Sequence, residues 1–346
     1  KGMFKKSKKE KKEKDVEQKL PPLDPSKCWN VLVIDSDSRN WHEIFQGAIG
    51  HDGRPIRIEK AEWSGIIVTA EDNTKPIVNI KPNKKPIPDT SDATFRTIQP
   101  DIVLVRQLVR GLVAPDEDYT NALYGLLFNN TPAVNTLESI AKHLERPYVY
   151  SQLNLLKKKL GADKFPLISM SYYSNQSGMM FTPEYPLVVK VGSAEAGYGK
   201  LKADNPQQLQ DVRSLLALHK DYITLERYVP NREYDIRVQK IGNHIRVYKR
   251  VSSNWKGNVG TSAIEEIQPS EAHKLWATEV GNLLGMDILT VDAIHTTDGK
   301  DVILEINDTA SGLYKDNEKE DMGYIRDLVL QKLEASYPSK TKNENN

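Results

Sequence analysis

PLVVKVGSAEAGYGK, residues 186–200, combines a short apolar run, one interrupting lysine and a cluster of glycines. Leu187, Val188, Val189 and Val191 predict a buried strand. Lys190 sits inside that run, and a lysine facing a core needs a partner. Gly192, Gly197 and Gly199 follow, three glycines within eight residues, and Lys200 closes the segment. Glycine lets a backbone turn tightly and brings its N–H groups close to a ligand. With a lysine on each side, the guest that suits such a tip is a polyphosphate. A surface hairpin with a solvated lysine explains the same residues, so this stretch alone leaves both readings open.

Familiar glycine fingerprints do not fit. A P-loop ends G-K-[ST], but Lys200 is followed by Leu201, and position 194 is Ala194. Gly197-Tyr198-Gly199 lacks the third glycine of a dinucleotide loop, and the chain has neither the H-R-D nor the D-F-G of a protein kinase. What remains is a fold that covers phosphates with a glycine-rich hairpin and holds a metal on scattered carboxylates.

The 346 residues suffice for two or three packed subdomains, and the net charge of +1 makes nucleic acid no default partner. Cys28 is the single cysteine, which excludes an internal disulfide and suits a reducing compartment. No apolar run approaches the ~20 residues of a membrane span. A soluble, cytoplasmic protein is expected. Residues 1–14 carry eight lysines and two glutamates; with the prolines at 21, 22 and 25 they predict a disordered basic tail and stiff linker over 1–27. That tail is either simply solvated or drawn to anionic lipid. Residues 337–346 read as a second disordered tail.

Between the tails, strand and helix signals alternate. Asn30 to Asp35, Ile56 to Glu59 and Asp101 to Arg106 read as strands, with a helix over 38–49, a hairpin around Asp72-Asn73 and a short helix over 121–128. This predicts an open α/β sheet. His42 and His51 lack metal-ligand spacing. Thr136 to Ser139 opens a helix, and a lysine-rich helix over 151–160 stops at Gly161. Strand signals follow at 166–168 and 187–191, a helix at 206–219, strands at 223–226 and 228–230, and a pair around Gly242-Asn243. A helix at 274–284, a last strand pair around Asp298-Gly299 and a helix at 318–333 close the chain. In that last pair Asp292 alternates with apolar neighbours, and Glu305 and Asn307 share a face by the period of two. Two carboxylates and an amide oxygen make a hard-cation site for Mg²⁺ or Ca²⁺. Taken singly, each could equally be a hydrogen-bonded residue near a strand end.

Several segments together carry a resemblance: Arg106-Gln107, Asn135 to Ile140, Lys164 to Ile168, V-V-K-V-G with its glycine loop, Y-D-I-R-V-Q-K-I-G-N at 234–243, Asn254-Trp255-Lys256 and the terminal E-I-N. From about Trp29 to Leu333 the chain resembles the ATP-grasp superfamily and, within it, the central domain of the synapsins. The resemblance implies an α/β (α+β) protein, with a pre-ATP-grasp α/β domain over 28–130 followed by a two-subdomain ATP-grasp fold over 131–336. It implies ATP as ligand, with Lys158, Lys190 and Lys256 near the phosphates and the hairpin carrying Gly192, Gly197, Gly199 and Lys200 folded over them. Glu226, Tyr228 and Val229 would face adenine. Glu233, where vertebrate relatives have lysine, joins the nucleotide positions. Asp292, Glu305 and Asn307 would hold Mg²⁺ or Ca²⁺. Some synapsins have lysine in place of Asp292, so the carboxylate favours cation-dependent binding here.

By the same resemblance the protein is a presynaptic one, peripheral on synaptic vesicles, which regulates vesicle clustering and neurotransmitter release. Its implied partners are a second copy or three more, as homodimer or tetramer, the anionic vesicle membrane and actin. An isologous contact is expected at the apolar 101–109 region. The superfamily also implies an alternative: an active ligase joining a carboxylate to an amine at the expense of ATP.

Overall fold

The computed structural model describes residues 24–338 except 37, 83–94, 112–116, 180–183, 194–198, 219–220, 253 and 256–262. The lysine tail, residues 339–346, Gly197 and Lys256 therefore lie outside the described residues.

Strand β1 (Trp29–Ile34) has the burial pattern of a strand covered on both faces, as its near-continuous apolar sequence requires. It pairs in parallel with β2 (Ile56–Ala61) and β6 (Ile102–Val105), and β7 (Ala133–Val134) completes the order β2-β1-β6-β7. Helices α2 (Thr120–Leu127) and α3 (Leu137–His143) cover one face. A small antiparallel sheet of β3 (Ile66–Thr69), β4 (Ile77–Ile80) and β5 (Arg96–Ile98) joins them there. The helix expected over 38–49 shrinks to α1 (Trp41–Ile44), because Gly47 takes a φ of 73° and turns the chain out of the helix. Within the 101–109 region, Ile102 to Val105 are fully buried in the sheet and Leu108 is exposed beyond it.

The other face of this sheet is covered from far along the chain. Helix α7 (Glu318–Ser336) lays Met322, Ile325, Leu328, Val329 and Leu333 against Val31, Val33, Ile102 and Leu104. Two further antiparallel sheets lie between. The first runs β10-β9-β11-β8, with β8 (Met170–Tyr173), β9 (Leu187–Val191), β10 (Lys200–Ala203) and β11 (Ile223–Arg227). Helix α5 (Pro206–Leu216) buries Leu209, Val212 and Leu216 in its core. No strand forms at 166–168, where Leu167 makes a lone bridge to Ile303, nor at 228–230, which lie outside any strand.

The second sheet runs β14-β13-β12-β15-β16, from β12 (Arg232–Ile241), β13 (His244–Val251), β14 (Ala263–Ile267), β15 (Ile288–Thr296) and β16 (Asp301–Asn307). Gly242 makes the β12–β13 turn at φ 58°, a backbone setting that favours glycine. Helices α4 (Arg146–Leu160) and α6 (Glu271–Leu284) share its core, Leu153, Leu156, Trp276 and Val280 packing on Val238, Val247, Leu289 and Val291. Asn135, fully buried just after β7, donates to the Ile288 carbonyl at 2.7 Å and accepts from the N–H groups of Asp287 and Ile288. It ties the parallel sheet to the start of β15.

Candidate functional site

The two antiparallel sheets close on a cleft of about 110 Å³. Ile168, Val188, Ile236, Ile294 and Leu304 give it an apolar floor and roof, and Lys190, Lys200 and Glu226 a charged end. Lys190 projects from β9 into this space with 3% exposure. Its partner is Glu226 on the neighbouring strand, at 2.7 Å, with Glu305 at 3.6 Å. Burial pulls the Lys190 ammonium below the usual lysine range; Arg146 and Lys200 add to this, and Glu226 and Glu305 work against it.

Glu305 is the hub. Lys200 reaches both of its oxygens at 3.1 and 3.2 Å, and Arg146 reaches one at 3.1 Å. Burial pushes its carboxyl up, yet Lys190, Lys200 and Arg146 together hold it well below the usual carboxylate range. Arg146 bridges to Glu226 at 3.1 Å, and burial, which opposes its charge, is outweighed by Glu305 and Glu226. On β15, Asp292 takes a two-pronged pair from Arg237, both contacts at 2.9 Å. That carboxylate, against the effect of burial, raises the Arg237 pKa above its ordinary value.

The expected site residues sort plainly by position. Lys190, Lys200, Glu226, Tyr228, Val229, Asp292 and Glu305 line the cleft. The Tyr228 N–H is bonded to the Pro186 carbonyl. Lys202 sits over the Tyr228 ring, 4.4 Å from its centroid. Gly192 and Gly199 take φ values of 57° and 65° at the two ends of the hairpin tip. Lys158 does not join the site: it is exposed on α4, while its neighbour Lys157 donates to the Leu167 carbonyl. Glu233 is exposed on β12 and lines neither cavity.

Sequence reasoning missed Arg146, Arg237, Arg250 and Arg232. Arg146 escaped because the helix was expected to begin at Ser151, whereas it starts at Arg146 with a proline in its first turn; Arg-Pro before a periodic segment was the available signal. Arg232 fastens the 252–255 loop through the carbonyls of Ser252, Asn254 and Trp255, which brings Trp255 to the cleft.

Asp292 and Glu305 face each other in register, and Asn307 follows two residues later on the same strand face. Two carboxylates and an amide suit an oxygen-seeking cation, so these residues fit Mg²⁺ or Ca²⁺. Asn307 now turns its Nδ2 toward Asp292 at 3.0 Å, and reversing that amide supplies the third oxygen. Among the described residues, no cluster of three or more His, Cys, Asp or Glu side chains could hold a metal ion; here the third donor is an amide.

A second cavity of about 370 Å³ adjoins the cleft and shares Arg250, Asp292, Leu304 and Glu305 with it. Its other walls come from α3, α4, β8 and the loop after β16. Arg106, from the parallel sheet, holds that loop through the carbonyls of Thr309 and Ser311.

Known structures share this architecture. A RimK-domain ATP-grasp protein from Sphaerobacter thermophilus superposes with a TM-score of 0.59 at 13% identity, over 87% of this chain and 99% of that one. The ATP-grasp ligase PsnB, complexed with a phosphomimetic variant of a minimal precursor, Mg and ADP, gives 0.60 at 13% identity, over 89% and 99%. The fold is ATP-grasp.

Within that class, the description "Synapsin pre-ATP-grasp domain" matches residues 24–133, and "Synapsin, ATP binding domain" matches 135–335. A Drosophila melanogaster synapsin is 30% identical over 324 residues, which are 92% of this chain and 31% of that protein. Human N-acetylaspartylglutamate synthase A is 28% identical over 222 residues, 61% of this chain and 54% of its own length. The chain belongs to the synapsin family, as a synapsin-like ATP-binding protein that spans less than a third of the length of the fly relative.

Proposed function

We propose that this chain binds ATP together with a divalent cation in the cleft between the two antiparallel sheets, and that the bound nucleotide sets its conformation and its assembly as a homodimer or tetramer on anionic vesicle membrane. The observation that carries the ATP and cation reading is the charge arrangement around Glu305. Arg146, Lys190 and Lys200 crowd one buried carboxylate, and Asp292 stands opposite it. A triphosphate would take over these cations, and the carboxylates so released would face phosphate oxygens across a shared ion. The apolar faces beside Val188, Ile294 and Leu304 suit a base. Vesicle clustering, control of neurotransmitter release and contact with actin belong to the same reading, through the family. Among the described residues no helix is long and apolar enough to cross a membrane, so attachment would be peripheral.

Calorimetric titration with ATP tests the site. Affinity is expected to fall at least about tenfold in EDTA relative to Mg²⁺ or Ca²⁺, that is about 1.4 kcal/mol. Asp292→Asn should blunt this dependence while relieving no steric constraint. Equal affinity with and without metal in the wild type would overturn the cation site; no ATP binding in either condition would overturn the whole reading.

The adjoining cavity favours a second reading, a ligase that activates a carboxylate with ATP. Its Arg250, Asp292 and Glu305 lie where the two spaces meet. ATP turnover against a panel of carboxylic acids and amines distinguishes the two.

A further inference from the structure

Arg106 and Gln107 follow β6 and serve different neighbours. Gln107 stays within its own domain: its side-chain oxygen accepts from the Trp63 N–H at 2.8 Å, and its carbonyl accepts from Trp63 Nε1 at 3.1 Å. Arg106, 3% exposed, reaches out of it. The Arg106 N–H donates to the Ile34 carbonyl at 2.7 Å, which seats the residue where β1 and β6 finish. From there Nη1 donates to the Thr309 carbonyl and Nη2 to the Ser311 carbonyl, 203 and 205 residues further along the chain. Thr309, fully buried, returns the contact by donating its hydroxyl to the Val105 carbonyl at 2.6 Å. A buried guanidinium is unfavourable unless its donors are used, and here two of them hold a single turn.

That turn starts directly after Asn307, the last residue of β16. The Asp308 side chain accepts from the Ala310 N–H at 3.1 Å, and its carbonyl accepts from the Ser311 N–H at 3.1 Å and hydroxyl at 2.8 Å. A turn closed on itself and strapped at 309 and 311 moves as one piece, so it sets where Asn307 leaves the strand. The Asn307 Nδ2 lies 3.1 Å from Thr290 Oγ1 and 3.0 Å from Asp292. Thr290 Oγ1 is also 3.4 Å from the Ser311 hydroxyl. A hydroxyl donates as well as accepts. Thr290 can therefore accept from Nδ2 as it does now, or donate to Oδ1 once the amide is reversed towards a cation.

We propose that Arg106 is a positioning residue for the cation site: from the N-terminal domain it fixes the turn after β16 and, through that turn, the amide oxygen of Asn307. Cation binding at Asp292, Glu305 and Asn307, proposed above, is the reading on which this rests. Asp292 and Glu305 are oriented by arginine and lysine partners of their own, whereas Asn307 depends on the end of its strand. Lysine at 106 would keep the charge but not the planar fork that spans two carbonyls. Mg²⁺ demands near-octahedral geometry and Ca²⁺ accepts looser distances, so a displaced third donor weakens Mg²⁺ the more.

The test is calorimetric titration of ATP into the full chain in Mg²⁺, in Ca²⁺ and in EDTA. In Arg106→Lys, affinity in Mg²⁺ is expected to fall about tenfold, as it does when a metal ligand loses its support. The fall in Ca²⁺ should be smaller, and affinity in EDTA should stay within about twofold of wild type. A merely structural role would lower all three alike. In an Asn307→Ala background, adding Arg106→Lys should change the Mg²⁺ affinity by less than about twofold, because both act through one group. Melting followed by circular dichroism identifies a variant that fails to fold. If Arg106→Lys does, Thr309→Val, which removes the hydroxyl bond to Val105, carries the test, with an expected loss of about threefold in Mg²⁺ and none in EDTA. Three results in folded variants overturn the proposal and leave the cation site standing: unchanged affinity in Mg²⁺, equal losses in Mg²⁺ and EDTA, or full additivity of Arg106→Lys with Asn307→Ala. A wild type that binds ATP equally in Mg²⁺, Ca²⁺ and EDTA overturns the cation site and the role of Arg106 with it.

Discussion

Glu305 concentrates the electrostatics of the site in one side chain. It sits on β16 with Lys190, Lys200 and Arg146 within 3.6 Å. Its carboxyl is held well below the usual range despite burial, so its ionised form is tied to the folded state. A depressed carboxylate contributes stability that is fully present above its unfolded pKa, ~4.3. That contribution is lost as pH falls through the lower folded value. Glu305→Gln should therefore be destabilised against the wild type at pH 7, and the gap should close progressively below about pH 4. Urea midpoints of both proteins from pH 7 to pH 3 measure it; a gap independent of pH would show that Glu305 is not the charged hub. Arg146 has the complementary role. Its guanidinium bridges Glu226 and Glu305, so it reports to both sheets at once.

At the scale of elements, the site depends on how β15 and β16 are seated. Asn135 uses its amide on the start of β15, with one donated and two accepted bonds. Asn135→Ala leaves the N–H groups of Asp287 and Ile288 and the Ile288 carbonyl without this partner in a dry setting. The expected loss is about 3 kcal/mol or more, since each of the three orphaned groups costs about 1–3 kcal/mol. A urea midpoint within error of wild type would show that water or a backbone shift replaces the amide. Elements with their own periodicity were legible in the sequence. The Y-D-I-R-V-Q-K-I run became β12, Gly242-Asn243 its turn, and Asp292, Glu305 and Asn307 a shared face. Elements defined by their neighbours were not. Strands β8 and β14 are polar edge strands, MSYY and AIEEI, whose pairing comes from the strand beside them. The lysine-rich helix shows the same limit: its sequence shows charge, but only packing shows that its start, at Arg146, reaches Glu226 and Glu305.

The whole molecule is held together by its C-terminal helix. The pre-ATP-grasp match ends at 133, yet the core of that domain is completed by α7, nearly two hundred residues later. Met322, Ile325, Leu328, Val329 and Leu333 cover the β1–β6 face, and Tyr337 packs on Trp29 with ring centroids 5.1 Å apart. The Tyr337 hydroxyl also donates to the Asp101 carbonyl at 3.2 Å. Fully burying a side chain of this size contributes about 1.5–3 kcal/mol. Five of them come to about 7–15 kcal/mol, comparable to the 5–15 kcal/mol by which a typical domain is stable. Without α7 the parallel sheet would expose much of the face formed by Val31, Val33, Ile102 and Leu104, with Trp41 and Phe45 among what remains packed there. Ending the chain at residue 317 is therefore expected to abolish the folded N-terminal sheet rather than to trim a tail. The signature is loss of the cooperative urea transition and binding of a hydrophobic dye. Within the full chain, Leu333→Ala should lower stability by about 2–5 kcal/mol, although it lies far from the cleft. Because α7 also packs Leu328 beside Ile241 and Ile288 of the central sheet, the two domains share one core. The 346-residue chain should unfold in a single transition by fluorescence and far-ultraviolet circular dichroism together. Two separated transitions, or a 24–317 fragment with the wild-type midpoint, would show that the helix is an accessory and that the N-terminal domain stands alone.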